Sequence, residues 1–204
     1  MDLNKLHKIL ELVKNYNSKL LPVIKGRDEG DILQIYNEGL REFGENRLNE
    51  LLDHKRFLPE ASFHFIAPLQ SRKIPQIMDK CDFIHTLQRP KEILSINECY
   101  ENQNIFVQIN IDDDPNKSGI QINEVDNFFD KFEGLKYFPV GIMCIPSFDS
   151  DPKNSFSKMS KINEKLKKDF NDYKGELSMG MSGDYKIALD YGATIIRIGS
   201  KIFN

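Results

Sequence analysis

A lysine stands at the end of the first apolar run that is typical of a strand. Residues 21–25 read Leu-Pro-Val-Ile-Lys, so the run ends in Lys25. Burying an ammonium group is costly, and desolvation favours the neutral amine, which attacks carbonyl groups to form a Schiff base. The position therefore indicates either a nucleophilic amine at a binding site or a lysine that leaves the strand into solvent. Position alone favours neither interpretation.

The last thirty residues contain two strand-and-loop units that are rich in glycine and serine. A short strand over 176–179 leads into a Gly/Ser loop over 180–184, and a β-branched strand over 194–198 ends in Gly199-Ser200. If the two strands are parallel, their loops present backbone N–H groups and hydroxyls at one point, which is a common way to hold a phosphate. Together with a nearby lysine, this predicts a phosphate ligand that bears a carbonyl group, either pyridoxal 5'-phosphate (PLP) or a sugar phosphate.

Other polar side chains fall in or just after predicted strands. Arg197 lies two residues before Gly199, where an inward guanidinium can contact a phosphate or a cofactor's pyridine nitrogen, and a structural salt bridge fits the spacing equally well. Asn46 follows the second strand and is placed either to reach the same site or to cap the next helix. His64 and His85 lie in the third and fourth strands. For both histidines, an interior hydrogen-bonded role is favoured over a catalytic one.

Positioning these groups requires a regular alternation of strands and helices, and the chain has one. The predicted strands are residues 21–25, 42–44, 62–66, 83–86, 105–110, 140–145, 176–179 and 194–198. The predicted helices are an N-terminal helix over 2–17 and segments near 28–40, 46–56, 71–80, 90–101, 123–133, 155–172 and 183–191. Strict alternation implies parallel strands joined by right-handed crossovers. Eight such units predict an α/β fold, a single (β/α)8 TIM barrel with an N-terminal helix, and a doubly wound sheet is the alternative.

The active end of such a barrel is the carboxyl end of its strands, and phosphate often lies in the loops after strands seven and eight. The two Gly/Ser loops fall at those two positions. The predicted fold and the predicted phosphate site therefore agree.

Bulk composition narrows the class of protein. A length of 204 residues is most simply one domain over 1–204, and a net charge of −3 with scattered basic residues argues against a nucleic-acid surface. No apolar run approaches the ~18–20 residues of a membrane span, and the N-terminus lacks a signal-peptide pattern. The three cysteines have neither CxxC nor metal-ligand spacing. We therefore expect a soluble, cytoplasmic protein with reduced thiols and no bound metal.

Eight segments together resemble the pyridoxal phosphate homeostasis protein family, small PLP-binding proteins related to the N-terminal barrel domain of alanine racemases. The matching segments are PVIK (22–25), FGENRLNEL (43–51), FHFIAPLQSRKI (63–74), IHTLQRPKEI (84–93), VQINIDDDPNKSGI (107–120), GIMCIP (141–146), LSMGMSGDYKIAL (177–189) and GATIIRIGSKIF (192–203). They occur in order and at family spacing through nearly the whole chain, which makes the match specific.

The resemblance implies a monomeric or weakly associating barrel that holds PLP as a Schiff base on Lys25. The other positions it assigns to the cofactor are Asn46, Ser178, Arg197, Gly199 and Ser200. Ser178, Gly199 and Ser200 are implied to cradle the phosphate. Arg197 is implied to lie against the phosphate or the pyridine ring, and Asn46 to contact the cofactor. Family members are thought to buffer PLP or deliver it to apo PLP-dependent enzymes, and they have no established turnover.

The choice between a binding protein and an enzyme depends on a second catalytic group. Racemisation needs acid/base groups on both faces of the cofactor, and related racemases recruit a tyrosine from a second, β-rich domain. These 204 residues leave no room for that domain. We therefore predict a PLP-binding protein without catalysis. The alternatives are a PLP-dependent amino-acid racemase-like enzyme that uses Tyr36 or His64, and a Schiff-base sugar-phosphate aldolase.

Overall fold

The computed structural model describes residues 1–203, and its described strands form one closed parallel barrel. The strands are β1 (Lys19–Pro22), β2 (Glu42–Glu45), β3 (Ser62–Phe65), β4 (Phe83–Leu87), β5 (Asn104–Gln108), β6 (Gly141–Met143), β7 (Glu176–Ser178) and β8 (Ile195–Ile198). They are hydrogen-bonded in the order β1-β8-β7-β6-β5-β4-β3-β2. A parallel bridge between Val23 and Gly44 joins the two edges of this sheet. The predicted (β/α)8 barrel is confirmed, and the doubly wound alternative is excluded.

Helices cover the outside of the barrel. They are α1 (Leu3–Asn15), α2 (Glu29–Asn37), α3 (Leu48–Phe57), α4 (Ile74–Lys80), α5 (Pro90–Glu98), α6 (Val125–Phe129), α7 (Pro152–Asp169), α8 (Tyr185–Asp190) and α9 (Ser200–Phe203). The N-terminal helix α1 packs on β1 and α9, as expected of a helix that fills the place after strand eight. The predicted helix near 155–172 begins earlier, because the Asp151 side chain caps its N-terminus and Pro152 fits the first turn.

Two further differences from the prediction lie at the end of the first strand and after the last one. The first strand was predicted to reach Lys25, but its regular pairing ends at Pro22, which has no N–H to donate. Gly26 then takes a φ of +65°, so that Lys25 lies in a turn. The short helix α9 was not predicted, because four residues carry too little periodicity to be recognised.

The buried apolar side chains form two clusters, one inside the barrel and one between the strands and the surrounding helices. Inside the barrel, Leu21, Phe106, Met143 and Ile195 belong to one apolar cluster, whereas residues such as Ile24 pack in the larger core between strands and helices. This division follows from strand geometry, since successive side chains point to opposite faces. The same alternation lets polar residues at inward positions meet in the interior.

Candidate functional site

The end of β1 lies between the ends of β8 and β2. Val23 N–H donates to the Ile198 carbonyl at 2.9 Å, and Ile24 N–H donates to the Gly44 carbonyl at 3.1 Å. Gly199 approaches the same segment, because a Cβ on it would lie 3.3 Å from the Val23 carbonyl oxygen. Lys25, one residue beyond Ile24, is therefore flanked by the loops that follow β8 and β2.

Lys25 is exposed in the turn after β1. The turn is anchored by its neighbour, since Gly26 N–H donates to Oε2 of Glu50 on α3 at 2.8 Å. From the sequence, Lys25 was either a nucleophilic amine at a binding site or a lysine that leaves the strand into solvent, and in the protein alone its side chain is exposed. The shorter β1 and the turn at Gly26 bring the side chain to the surface of the barrel mouth.

The loops after β7 and β8 meet through two hydroxyls. Ser200 Oγ lies 3.3 Å from Ser182 Oγ, and Ser200 is exposed while Ser182 is half-buried. Within residues 1–203, the backbone N–H groups of Ser182, Gly183 and Ser200 have no hydrogen-bond acceptor. Ser182 was not among the predicted site residues, although its place in the Gly/Ser loop after strand seven was the available signal. The two loops thus offer hydroxyl and N–H donors to an anion.

Arg197 is buried in the interior without a carboxylate partner among the described residues. It donates to Ser178 Oγ at 2.7 Å and to the Cys144 carbonyl at 2.9 Å. Burial lowers the pKa of this guanidinium. A buried charge without an opposite charge is costly, so an anionic ligand nearby would stabilise this arrangement.

Ser178 is fully buried, and its hydroxyl is engaged inside the barrel. Besides the contact with Arg197, Ser178 Oγ lies 2.8 Å from His85 Nδ1. The structure therefore brings Ser182 and Ser200 together at the loops and places Ser178 beneath them, next to Arg197. The grouping of Ser178 with Gly199 and Ser200 as phosphate ligands stays a prediction.

Asn46 carries a buried oxygen with no partner. Its Oδ1 has no hydrogen-bond donor among the described residues, although its backbone N–H donates to Glu45 Oε2 at 3.2 Å. Glu45 is itself held by His54, whose Nδ1 lies 2.6 Å from Glu45 Oε1. Arg47 occupies the N-cap position of α3, so Asn46 does not cap that helix. An unpaired buried acceptor costs about 1–3 kcal/mol, which a ligand donor would offset.

Replacing Asn46 by alanine is expected to move stability and ligand binding in opposite directions. Removing an unpaired buried acceptor should leave the free energy of unfolding of the unliganded protein unchanged or raise it by about 1 kcal/mol. Affinity for PLP should fall, because the ligand loses an acceptor. Urea unfolding and PLP titration measure the two effects, with Asn49→Ala on the exposed face of α3 as the control. A variant that loses stability and keeps full affinity would contradict this role.

The two interior histidines contact each other. His85 Nε2 lies 3.0 Å from His64 Nδ1, and the rings stack on Phe106 and Phe83, respectively. Burial is the main cause that lowers the pKa of both imidazoles. The interpretation of His64 and His85 as hydrogen-bonded interior histidines is confirmed.

Glu42 lies at the amino-terminal end of the barrel below His64. Its Oε2 lies 3.3 Å from His64 Nε2, a contact less well aligned than a normal hydrogen bond, and its Oε1 accepts from Lys19 Nζ at 2.8 Å. These contacts, led by that with His64, lower the pKa of Glu42 from 4.5 to about 2.

Replacing Glu42 by glutamine is expected to remove part of the acid sensitivity of the fold. Because the folded-state pKa of Glu42 lies below its ordinary value, its carboxylate stabilises the fold above pH 4.5, and this contribution is lost as the pH falls towards 2. The side chain is 31% exposed, so the effect at neutral pH should be on the order of 1 kcal/mol. Urea unfolding at several pH values measures it, with exposed Glu133→Gln as the control. A difference from wild type that does not change with pH would contradict the assignment.

Residues 1–203 lack the features of two other classes of site. That part of the chain contains no cluster of histidine, cysteine and acidic side chains able to hold a metal ion. None of its helices combines the length and the apolar character needed to cross a membrane. The mouth groups instead suit a small phosphorylated ligand with a carbonyl group: they are an exposed amine, hydroxyl and N–H donors, a buried cation and an unpaired amide oxygen.

Comparison with known proteins agrees with this fold. The family described as alanine racemase, N-terminal domain, matches residues 2–204, which defines the class of barrel. A pyridoxal phosphate homeostasis protein from Pasteurella multocida is 35% identical over 198 residues, which cover 91% of this chain and 85% of that protein. One from Aquifex aeolicus is 32% identical over 199 residues, covering 91% and 86%. The chain belongs to the pyridoxal phosphate homeostasis protein family, as the resemblance predicted.

Solved structures show the same fold. PipY of Synechococcus elongatus without PLP superposes with a TM-score of 0.91 at 24% identity, covering 100% of both chains. PipY with PLP bound gives a TM-score of 0.84 at 24% identity, covering 92% of this chain and 93% of PipY. The family is named for cofactor homeostasis and not for a catalysed reaction, in agreement with the prediction of a non-enzymatic protein.

Proposed function

We propose that this protein binds PLP at the carboxyl end of its barrel, attached covalently to Lys25, and serves PLP homeostasis without catalytic turnover. The observation that carries the proposal is the position of the exposed Lys25 between the Gly199-Ser200 loop and the Asn46 loop. Its relatives are named for PLP homeostasis, and PipY has been solved with PLP bound. The barrel over residues 1–203 supports a single domain.

Each group at the mouth has a role that fits its chemistry. Lys25 supplies the amine, and the loops that carry Ser182, Gly199 and Ser200 supply donors for the phosphate. Arg197 supplies a fixed positive charge for the phosphate or the pyridine ring, and Asn46 accepts a hydrogen bond from the ligand. When bound, PLP supplies an electrophilic aldehyde and an electron-withdrawing ring. The residues present fit that ligand.

The racemase-like alternative lacks its two candidate groups at the mouth. Tyr36 lies on the outer helix α2, with the Arg41 guanidinium 3.8 Å from the centre of its ring. His64 is fully buried in the barrel interior. Neither side chain is placed to work opposite Lys25, which supports binding without racemisation.

The decisive test is a titration of the purified protein with PLP, followed by absorbance before and after borohydride reduction. We expect a new absorbance band that reduction removes, and a modified peptide that contains Lys25. Pyridoxal, which lacks the phosphate, should bind much more weakly. Absence of the band even with added PLP would overturn the proposal and favour the sugar-phosphate alternative. Racemisation that depends on Lys25 would overturn the non-catalytic role.

The proposal extends to location and partners. Cys81, Cys99 and Cys144 are free thiols, which is consistent with a cytoplasmic protein. We propose a monomer whose macromolecular partners are apo PLP-dependent enzymes, with no role for nucleic acid or membranes. Light scattering of the holoprotein measures the mass, and transfer of PLP to an apoenzyme measures delivery.

A further inference from the structure

A line of polar side chains crosses the barrel interior from the ligand end to the opposite end. Arg197 contacts Ser178, Ser178 contacts His85, and His85 contacts His64, at 2.7, 2.8 and 3.0 Å. His64 Nε2 then lies 3.3 Å from Glu42 Oε2. We refer to these five residues as the interior polar chain. Four of its members are almost fully buried, and Glu42 reaches solvent at the base of the barrel.

The Arg197 end of the interior polar chain fixes the direction of its hydrogen bonds. The Glu42 end agrees with that direction, although the 3.3 Å contact of His64 Nε2 lacks the alignment of a hydrogen bond. A guanidinium can only donate, and the Glu42 carboxylate, with its pKa at about 2, can only accept. Ser178 Oγ therefore accepts from Arg197. The serine hydroxyl hydrogen has no other acceptor among the described residues, so it donates to Nδ1 of His85. This requires the hydrogen of His85 to be on Nε2.

The same reasoning assigns the second imidazole. The N–H of His85 points to Nδ1 of His64, so His64 carries its hydrogen on Nε2, facing the Glu42 carboxylate. The opposite direction would place a lone pair of His64 towards a carboxylate oxygen and would leave the Ser178 hydroxyl hydrogen without this acceptor. No carboxylate contacts His85 among the described residues, and burial is the largest cause that holds the pKa of His85 well below its ordinary value.

We propose that His85 and His64 are positioning residues of the ligand site: as a neutral imidazole pair, both protonated on Nε2, they orient the Ser178 hydroxyl, which holds the Arg197 guanidinium in place. The link from Arg197 to the ligand rests on the proposed function, whereas the assignment of the protons does not. Ser178 acts through Arg197 and not as a phosphate ligand. The histidines contribute no charge of their own, so Arg197 is the one charged group of the interior polar chain at its ligand end.

Nitrogen NMR on the histidine-labelled, cofactor-free protein tests the proton assignment directly. We expect His64 and His85 to be neutral at neutral pH, with hydrogen on Nε2 and an acceptor Nδ1 in both. The four histidines of the chain are assigned by single substitution. A hydrogen on Nδ1 of His85, or a charged imidazole at either position, would overturn the proposal whether or not PLP binds.

Paired substitutions test the link to the ligand. His85→Asn keeps an acceptor near the position of Nδ1, whereas His85→Phe removes it and leaves the stacking on Phe106 possible. We expect the phenylalanine variant to bind PLP about ten- to hundredfold more weakly and to shift the absorbance maximum of bound PLP. The asparagine variant should recover most of the affinity.

Tyr173→Phe is the matched control, because it removes a buried hydrogen bond to Asn163 away from the mouth. It should lower stability and leave PLP affinity and absorbance unchanged. Equal affinity and absorbance for wild type and His85→Phe would overturn the positioning role. If His85→Phe fails to fold, the asparagine variant and the NMR measurement still decide the proposal. If the wild-type protein shows the expected protonation but does not bind PLP, the proposed function and the link to the ligand are overturned. The proton assignment would still stand.

Discussion

Replacing Lys25 by alanine should abolish the borohydride-trapped adduct with PLP. Lys25 is exposed in a turn, and the anchor of that turn is the backbone N–H of Gly26, so the substitution should leave the fold intact. Lys25→Arg keeps the positive charge but has no primary amine, and should also fail to form the adduct. Mass spectrometry after reduction measures the modification, and circular dichroism checks the fold.

An exposed lysine elsewhere provides the control for this experiment. Lys153 lies at the start of α7, and Lys153→Ala should form the adduct as wild type does. A full yield of reduced adduct in Lys25→Ala, on any other lysine, would contradict the assignment. Non-covalent binding of PLP that persists in Lys25→Ala would show that the mouth holds the phosphate and ring independently of the amine.

Replacing Arg197 by glutamine should weaken PLP retention by about ten- to hundredfold, since a charge-assisted hydrogen bond contributes about 1.5–3 kcal/mol. Glutamine can still donate to Ser178 or to the Cys144 carbonyl, so part of the interior bonding is retained. The variant also removes a buried charge that has no carboxylate partner among residues 1–203. We therefore expect a smaller loss of stability in the unliganded protein than in the complex.

The control for Arg197 is an arginine that lies outside the barrel. Arg41 donates to the carbonyls of Tyr36 and Leu40 and stacks on the Tyr36 ring. Arg41→Gln should lower the free energy of unfolding and leave PLP affinity unchanged. Equilibrium dialysis at several salt concentrations measures the PLP affinity of both variants. Unchanged affinity in Arg197→Gln would remove this residue from the ligand site.

Much of the fold was predictable because each strand and helix carries a local pattern. The strands predicted at 62–66 and 83–86 agree with β3 and β4 to within one residue, since short buried runs bounded by polar residues are recognisable. The helix predicted near 123–133 was less accurate. The structure divides this stretch into a 3₁₀ turn, the short α6 and another 3₁₀ turn.

The site residues stay predictions, and the sequence could place them only where a residue's position at the end of a strand was sufficient. Asn46, Gly199 and Ser200 follow strands, and the carboxyl ends of parallel strands meet at one end of a barrel. For Lys25 the sequence left both exposure and burial open, because the outcome depends on the turn at Gly26. Ser182 was overlooked although it lies in the Gly/Ser loop after strand seven, and its contact with Ser200 depends on how the β7 and β8 loops approach each other.

The sequence by itself determined the alternation of eight strands with helices, the family, and which residues stand at the strand ends. These are properties of local spacing and of short collinear motifs. Only the tertiary structure decided what the interior polar residues contact. Ser178 and His85 are 93 positions apart, and Arg197 and the Cys144 carbonyl are 53 apart. Such partners depend on the register across neighbouring strands and on closure of the barrel, which no local pattern encodes.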